Sequence, residues 1–371
     1  MQRLFEETTL KGMGLRNRFV RSATWEGLAA DDGAVSPELI DVSRRLAEGG
    51  VGLIISGHTY VRKEGQAGLR QMGIYADALT AGVAEMAAAI HREGAKCCLQ
   101  LAHAGARGAT QLSGMPAKGP SAGAAGQAES REMTLGDIEE TIRGFADAAV
   151  RAKAAGCDAV QLHGAHGYLI SQFLSPFFNK RTDGYGGTIG NRSRFAVEVL
   201  QAVRRAVGAD FPVFIKLNAA DFLDGGLTVD DMLAAAAALE AAGIDAIELS
   251  GGTFLSGRYL PSRIGKPEAG ETEAYYEAAA RRYKAAIHVP LMLVGGIHTL
   301  ETAERLVGEN IADYIALCRP LIREPGLVNR WKSGDREAAR CVSDNGCFKP
   351  GFEGRGVYCV VEERERSREQ K

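Results

Sequence analysis

The chain has 371 residues, 46% of them hydrophobic, and its 44 basic side chains against 46 acidic ones give a formal net charge of −2. That mixed balance excludes a nucleic-acid footprint, and the length suits one large core with additions or two ordinary ones. No apolar run approaches the roughly 20 residues that span a bilayer, and the opening MQRLFEETTL is charged where a signal peptide is apolar, so a cytoplasmic protein with no membrane partner is expected.

Short apolar runs then alternate with longer alanine-rich stretches along the chain. FVRSA (19–23) is followed by a helix predicted over 36–48, and VGLIIS (51–56) by one over 79–94. KCCLQLA (96–102) leads to a helix over 134–155, where Thr134 and Asp137 stand at capping-box positions. AVQLHG (159–164) leads to 191–207, and PVFIKLN (212–218) to 228–243, opened by Thr228. AIELSG (246–251) leads to 270–287, LMLVGG (291–296) to 299–308, and YIALCR (314–319) completes a set of eight. Gly49, Gly94, Gly156, Gly208 and Gly243 mark helix ends. The strand runs are continuous rather than alternating, as in a parallel sheet covered on both faces. Eight such units in a row predict a single α/β domain, a (β/α)8 TIM barrel over residues 1–335, with 336–371 as a C-terminal extension. An open doubly wound sheet is the alternative, weakened by the lack of a GxGxxG after the first strand. Two long connections, 105–133 and 252–270, follow strands and so belong at the C-terminal face, where barrels build their sites.

The fourth run ends in HGAHGYL, which brings His163, His166 and Tyr168 to that face. Two imidazoles three residues apart can aim N–H groups at one electron-rich oxygen, whereas a pair of histidines bonded to each other would only hold a loop. Lys216 sits inside the apolar fifth run, where it is a Schiff-base candidate, a fixed cation for an anionic cofactor, or the partner of a core carboxylate. Gly295 and Gly296 after the seventh run, with Cys318 and Arg319 after the eighth, match a barrel phosphate site.

Together these segments resemble the Old Yellow Enzyme family of FMN-dependent ene-reductases, the NADH:flavin oxidoreductases. The likeness covers about Leu10 to Arg323: NRFVRSAT, QLAHAG, and then HGAHGYLISQFLSP, NKRTDGYGG and NR over 163–192. The resemblance implies FMN as cofactor, NADH or NADPH as reductant, and a small-molecule activated alkene as acceptor, in a chain that forms a homo-oligomer. It implies that Ser22, Ala23 and Thr24 lie along the flavin and that Gly57 and His58 approach its O4 edge. Gln100 would bind the pyrimidine edge, and Lys216 would stand beside N1 and O2 in place of the usual arginine. Gly295, Gly296, Cys318 and Arg319 would cradle the phosphate. His163 and His166 would grip the substrate oxygen, and Tyr168 would protonate the α-carbon as hydride reaches the β-carbon. The Schiff-base role of Lys216 falls on this reading. Trp25 departs from the pattern: it stands where relatives often have a threonine or cysteine that tunes the flavin, and it would instead wall the substrate pocket.

Seven cysteines, 97, 98, 157, 318, 341, 347 and 359, are an odd count that argues against a disulfide framework, and Cys97, Cys98 and Cys318 read as buried small hydrophobes. The last three form C-x2-D-x2-C-x11-C with Asp344. This resembles the [4Fe–4S] motif of larger members similar to 2,4-dienoyl-CoA reductase and trimethylamine dehydrogenase, with Asp344 in place of one cysteine. Because the chain closes soon after Cys359, the added domains that feed such a cluster are expected to be absent. A vestigial set of thiols is preferred over a labile Asp-ligated cluster or a Cys3Asp zinc site. The competing functions are a dienoyl-CoA-type reductase that keeps such a cluster, a phosphate-binding barrel aldolase using Lys216, and a flavin-binding protein without catalysis. Direct reduction of FMN by NAD(P)H followed by the acceptor in the same pocket predicts ping-pong kinetics.

Overall fold

The computed structural model describes residues 2–126, 129–265 and 273–369; residues 266–270 of the second long connection and the start of the helix expected over 270–287 lie outside these. The eight expected strands form: β1 Phe19–Arg21, β2 Leu53–Ile55, β3 Lys96–Ala102, β4 Ala159–Gly164, β5 Val213–Asn218, β6 Ala246–Ser250, β7 Leu291–Val294 and β8 Tyr314–Leu317. They pair in parallel in the order β2-β1-β8-β7-β6-β5-β4-β3, and pairing of β2 with β3 closes the barrel. The α/β reading as a (β/α)8 barrel therefore holds, and the open doubly wound sheet does not.

The outer helices follow the expected order. They run over Pro37–Glu48, Thr80–Arg92, Leu135–Ala154, Ile189–Val207, Val229–Ala241, Glu277–Ala286 and Leu300–Gly308. Thr134 with Asp137 forms a full capping box, and Thr228 with Asp231 forms another, so each helix begins where its first free N–H groups find side-chain oxygens. One helix end differs from expectation. Gly49 keeps right-handed backbone (φ −68), and Gly50 (φ 103) takes the left-handed turn instead. Gly49 is needed for a different reason: a Cβ there would lie 1.9 Å from the Pro325 carbonyl oxygen.

The bottom of the barrel is sealed by a hairpin absent from the sequence reading. Thr8–Leu10 pairs antiparallel with Met13–Leu15 across Lys11 and Gly12, whose positive φ values of 47 and 77 suit a two-residue type I′ turn. Leu10, Met13 and Leu15 pack with Val20, Leu53, Phe214 and Met292 inside the barrel. With that end filled, polar inward residues gather toward the opposite end. Register does the rest: Lys216 on β5 sits beside His163 on β4 and Glu248 on β6, and Gln100 on β3 sits beside Gln161 on β4.

Beyond β8 the chain passes through Leu327–Lys332 and wraps across the C-terminal face of the barrel. A short helix, Phe348–Phe352, meets Trp25, and the Val357 N–H donates to the Glu26 carbonyl at 2.8 Å. A last helix, Val360–Glu369, is tied back through the Arg323–Glu365 ion pair. Among the described residues no helix is long and apolar enough to cross a membrane.

Candidate active site

The chain reverses sharply after β4. His166 has φ 63 and Gly167 φ 77, so two successive residues are left-handed, one of them a histidine that carries the steric cost. The turn is held in place from two sides: the His166 N–H donates to Asn218 Oδ1 at 3.1 Å, and His166 Nε2 lies 2.8 Å from Ser250 Oγ. This brings the His163 and His166 rings edge to face, with centroids 5.3 Å apart, and sets the Tyr168 ring 4.6 Å from His163. Fully buried Gln172 locks the strand-four turn to the loop after β3: its Nε2 donates to the Gly167 and Ala104 carbonyls at 2.7 and 3.1 Å, and its Oε1 accepts from the Ala106 N–H at 3.0 Å. Tyr168 Oη is 3.1 Å from His58 Nε2, which places His58 in the same cluster.

Burial sets the protonation of this cluster. It holds the His163 imidazole well below the usual histidine range, with His166, His58 and Lys216 adding to the effect. His166 is lowered well below that range as well, by burial and then by Lys216 and His58. His58 is brought down to about 4 by burial and Lys216, and burial pushes Tyr168 up to about 12 against the opposing charge of Arg107. At neutral pH the cluster is thus three neutral imidazoles and a protonated phenol. His163 Nδ1 is buried and has no partner among the described residues. An orphaned polar atom at a strand end costs about 1–3 kcal/mol and is the kind of vacancy a bound oxygen fills.

Below the histidines runs a buried polar chain. Lys216 Nζ is 3.2 Å from Glu248 and donates to Ser22 Oγ at 2.9 Å; Ser22 Oγ donates to Glu248 Oε1 at 2.6 Å. Gln161 Nε2 donates to Glu248 Oε2 at 2.8 Å, and Gln100 Nε2 to Gln161 Oε1 at 2.7 Å. Ser22, Gln100 and Lys216, three of the residues the resemblance assigns to the flavin ring, are therefore joined in one network. Its centre is Glu248, which sequence reasoning missed; the available signal was that a buried lysine requires a partner, and Glu248 is the inward residue at the matching depth on the next strand. Ala23 stands between Ser22 and Thr24, partly exposed and packed on the barrel interior. Gly57 packs so closely on this segment that a Cβ there would lie 2.7 Å from the Thr24 carbonyl oxygen.

The expected phosphate residues also converge. Thr24 Oγ1 lies 3.1 Å from Cys318 Sγ, and Cys318 precedes the short helix Arg319–Arg323. Gly295 and Gly296 have φ 113 and 77, and a Cβ on Gly296 would lie 2.6 Å from the Tyr275 ring. The amides of Gly296 and Arg319 donate to nothing among the described residues. Arg319 Nη1 donates to the Arg263 carbonyl and Asn345 Oδ1 at 2.7 and 2.8 Å, which leaves Nε and Nη2 without a protein partner among the described residues. Arg263, also missed by the sequence reading, sits 4.5 Å over the Tyr275 ring with a buried Nε–H that has no partner. Free amides and guanidinium N–H groups in one place fit a phosphate.

Trp25 faces the extension: its ring lies 5.0 Å from Phe352, and a Cβ on Gly351 would come within 3.0 Å of it. The cysteine motif is not gathered into a donor set. Among the described residues no group of three His, Cys, Asp or Glu side chains is placed to hold a metal ion. Asp344 Oδ1 accepts from the Gly346 N–H at 3.0 Å, and Cys359 Sγ takes a contact from Arg323 Nη1 at 3.6 Å. Burial, with Cys318 and Cys341 adding, pushes the Cys347 thiol up to about 12, and burial raises Cys341 too. Ligation would require these thiols to lose their protons, so their raised pKa values weigh against a metal at this site as it is placed.

His103, in the QLAHAG segment, has a structural part. Its Nδ1 accepts from the Gly105 N–H at 3.0 Å, and burial lowers it to about 4, with Glu64 opposing and Arg62 and Lys118 adding. The unfolded residue titrates near 6.5, so between 6.5 and 4 the unfolded chain binds more protons and stability falls as the pH falls. At pH 5 the loss is about 2 kcal/mol from this residue. The expected result is a drop in unfolding free energy between pH 7 and pH 5 that His103→Gln reduces; an equal drop in both proteins contradicts it.

Residues 3–337 match the NADH:flavin oxidoreductase / NADH oxidase family. The chain is 37% identical over 365 residues to an NADH oxidase of Thermoanaerobacter brockii, covering 96% of this chain and 55% of that protein. It is 36% identical over 326 residues to an NADPH dehydrogenase of Geobacillus sp. (strain WCH70), covering 87% of this chain and 91% of that one. Among solved structures, a 2-naphthoyl-CoA reductase bound to 2-naphthoyl-CoA superposes with a TM-score of 0.89 at 29% identity, over 97% of this chain and 56% of its own. The chain thus spans about half the length of the NADH oxidase and of the naphthoyl-CoA reductase. With the match running from before β1 to beyond β8 and through the whole His163–His166–Tyr168 turn, the chain belongs to the NADH:flavin oxidoreductase / NADH oxidase family.

Proposed function

We propose that this protein is an NAD(P)H-dependent FMN oxidoreductase that reduces an activated alkene such as an enone, enal or nitroalkene. FMN, when bound, would supply the hydride chemistry that links NAD(P)H to the alkene β-carbon. Ser22, Ala23, Thr24, Gly57, His58, Gln100 and Lys216 are the residues to hold its ring, and Gly295, Gly296, Cys318 and Arg319, with Arg263, its phosphate.

The observation that carries the reading is the unpartnered, buried His163 Nδ1 beside His166 and Tyr168. Neutral imidazoles each carry one N–H, and two such donors on a carbonyl or nitro oxygen draw electron density from the conjugated double bond. The Ser250 hydroxyl at His166 Nε2 orients that ring, so the donors are in place before substrate arrives. Tyr168 gives its phenolic proton to the α-carbon; the phenolate left behind faces His58 and Arg107 and recovers a proton from solvent. The aldolase reading requires a free amine at Lys216, and that side chain is committed to Glu248 and Ser22. The expected compartment is the cytoplasm.

Replacing both His163 and His166 with alanine tests the assignment. FMN should remain bound, because neither residue belongs to the proposed flavin contacts, while enone turnover falls by about 10²–10⁴-fold. Undiminished turnover in the yellow double variant would remove the histidines from the reaction.

A further inference from the structure

The two long connections meet beside Tyr168. Arg107, in the first, places its guanidinium carbon 3.8 Å from the ring centroid of Phe254, in the second, and the Phe254 ring lies 6.2 Å from Tyr168. At that separation the guanidinium covers the ring face and keeps its N–H groups for another partner. None is supplied: among the described residues the Arg107 side chain makes no hydrogen bond and no ion pair. Other cations of this region are neutralised, Arg62 by Glu64, Lys118 by Asp137 and Lys216 by Glu248. Burial lowers the Arg107 pKa, and the one titratable group acting on it is Tyr168, a phenol rather than a carboxylate. A half-buried guanidinium without a counter-charge, at the edge of the proposed substrate pocket, is poised for an anion.

We propose that Arg107 is a specificity-determining anion site at the mouth of this pocket, selecting a molecule that carries a carboxylate or phosphate beyond the group gripped by His163 and His166. This rests on the ene-reductase reading. It narrows the substrate class to anionic activated alkenes, or else assigns the phosphates of the NAD(P)H reductant to the same guanidinium. The chemistry is shared, a planar N–H fork on an oxyanion, and the two sources separate experimentally.

The test uses the FMN-loaded protein and benzylideneacetone bearing a para-carboxylate, against its methyl ester. In the unaltered protein the acid is preferred; in Arg107→Gln the acid-to-ester ratio of kcat/KM falls by about 10–100-fold, and Arg107→Lys retains part of the preference. In parallel, the Kd values of NADH and NADPH are read from the concentration dependence of flavin bleaching. A loss of that size in reductant affinity, with the acid-to-ester ratio unmoved, assigns the anion to the reductant and keeps the site. If the ratio and both Kd values move less than about twofold, the proposal is overturned. If neither the acid nor the ester reoxidises the reduced unaltered protein, the alkene reading fails separately, and the bleaching measurements still decide Arg107.

Discussion

Tyr168→Phe lowers the rate at which an enone reoxidises the NADH-reduced protein by about 10²–10⁴-fold, and slows the preceding bleaching by NADH far less. The reason is local. The ring keeps its place 4.6 Å from His163, so the pocket wall survives, and only the hydroxyl facing His58 is lost. Reduction by NADH needs no proton at the alkene α-carbon; alkene reduction does. Because burial holds the phenol up to about 12, the donor stays loaded across the ordinary working range, and the alkene step should show no loss of activity from tyrosine ionisation up to about pH 9. Stopped-flow traces of the two half-reactions measure this directly. Equal slowing of both would assign Tyr168 to packing alone.

The second large effect concerns stability. Lys216 and Glu248 are an ion pair at 3.2 Å with both side chains almost wholly buried, so neither charge has water to fall back on. Lys216→Met leaves the Glu248 carboxylate with Ser22 and Gln161 as its remaining partners and should cost about 3–5 kcal/mol. Adding Glu248→Gln removes that stranded charge, so the double variant should recover most of the loss. Urea unfolding of the FMN-free proteins makes the comparison without ligand linkage. A double variant whose loss equals the sum of the two single losses would show that the pair is not coupled.

The barrel was legible because its strands are buried on both faces. A continuous apolar run such as LMLVGG allows few other readings, and the helices between announce themselves through caps such as Thr134 with Asp137. The hairpin of Leu10 and Met13 was not legible, since three-residue strands offer too short a period to count. His163, His166 and Tyr168 could be placed together from their position after β4. The left-handed backbone of His166 could not, because it depends on Asn218 and Ser250 from two other strands. Glu248 was hidden as one charge in an apolar run, although the register beside Lys216 makes it the natural counter-ion. Arg107 and Arg263 lie in connections without motifs, where only the fold decides what they meet. The cysteine spacing matched a cluster motif with Asp344 in place of one ligand, but spacing along a chain does not fix what the side chains meet: Asp344 turns back onto Gly346, and Arg319 holds the carbonyl of Ser343 and the side chain of Asn345.

The central claim, an FMN barrel that passes reducing equivalents from NAD(P)H to an activated alkene, is tested most directly by the visible spectrum of the purified protein under anaerobic conditions. The expected record has two flavin bands that bleach on adding NADH or NADPH and return in full when one equivalent of an enone is added, with the saturated ketone as product. A protein that stays colourless after incubation with FMN would contradict the cofactor assignment. A bleached protein that no enone, enal or nitroalkene reoxidises would contradict the reaction.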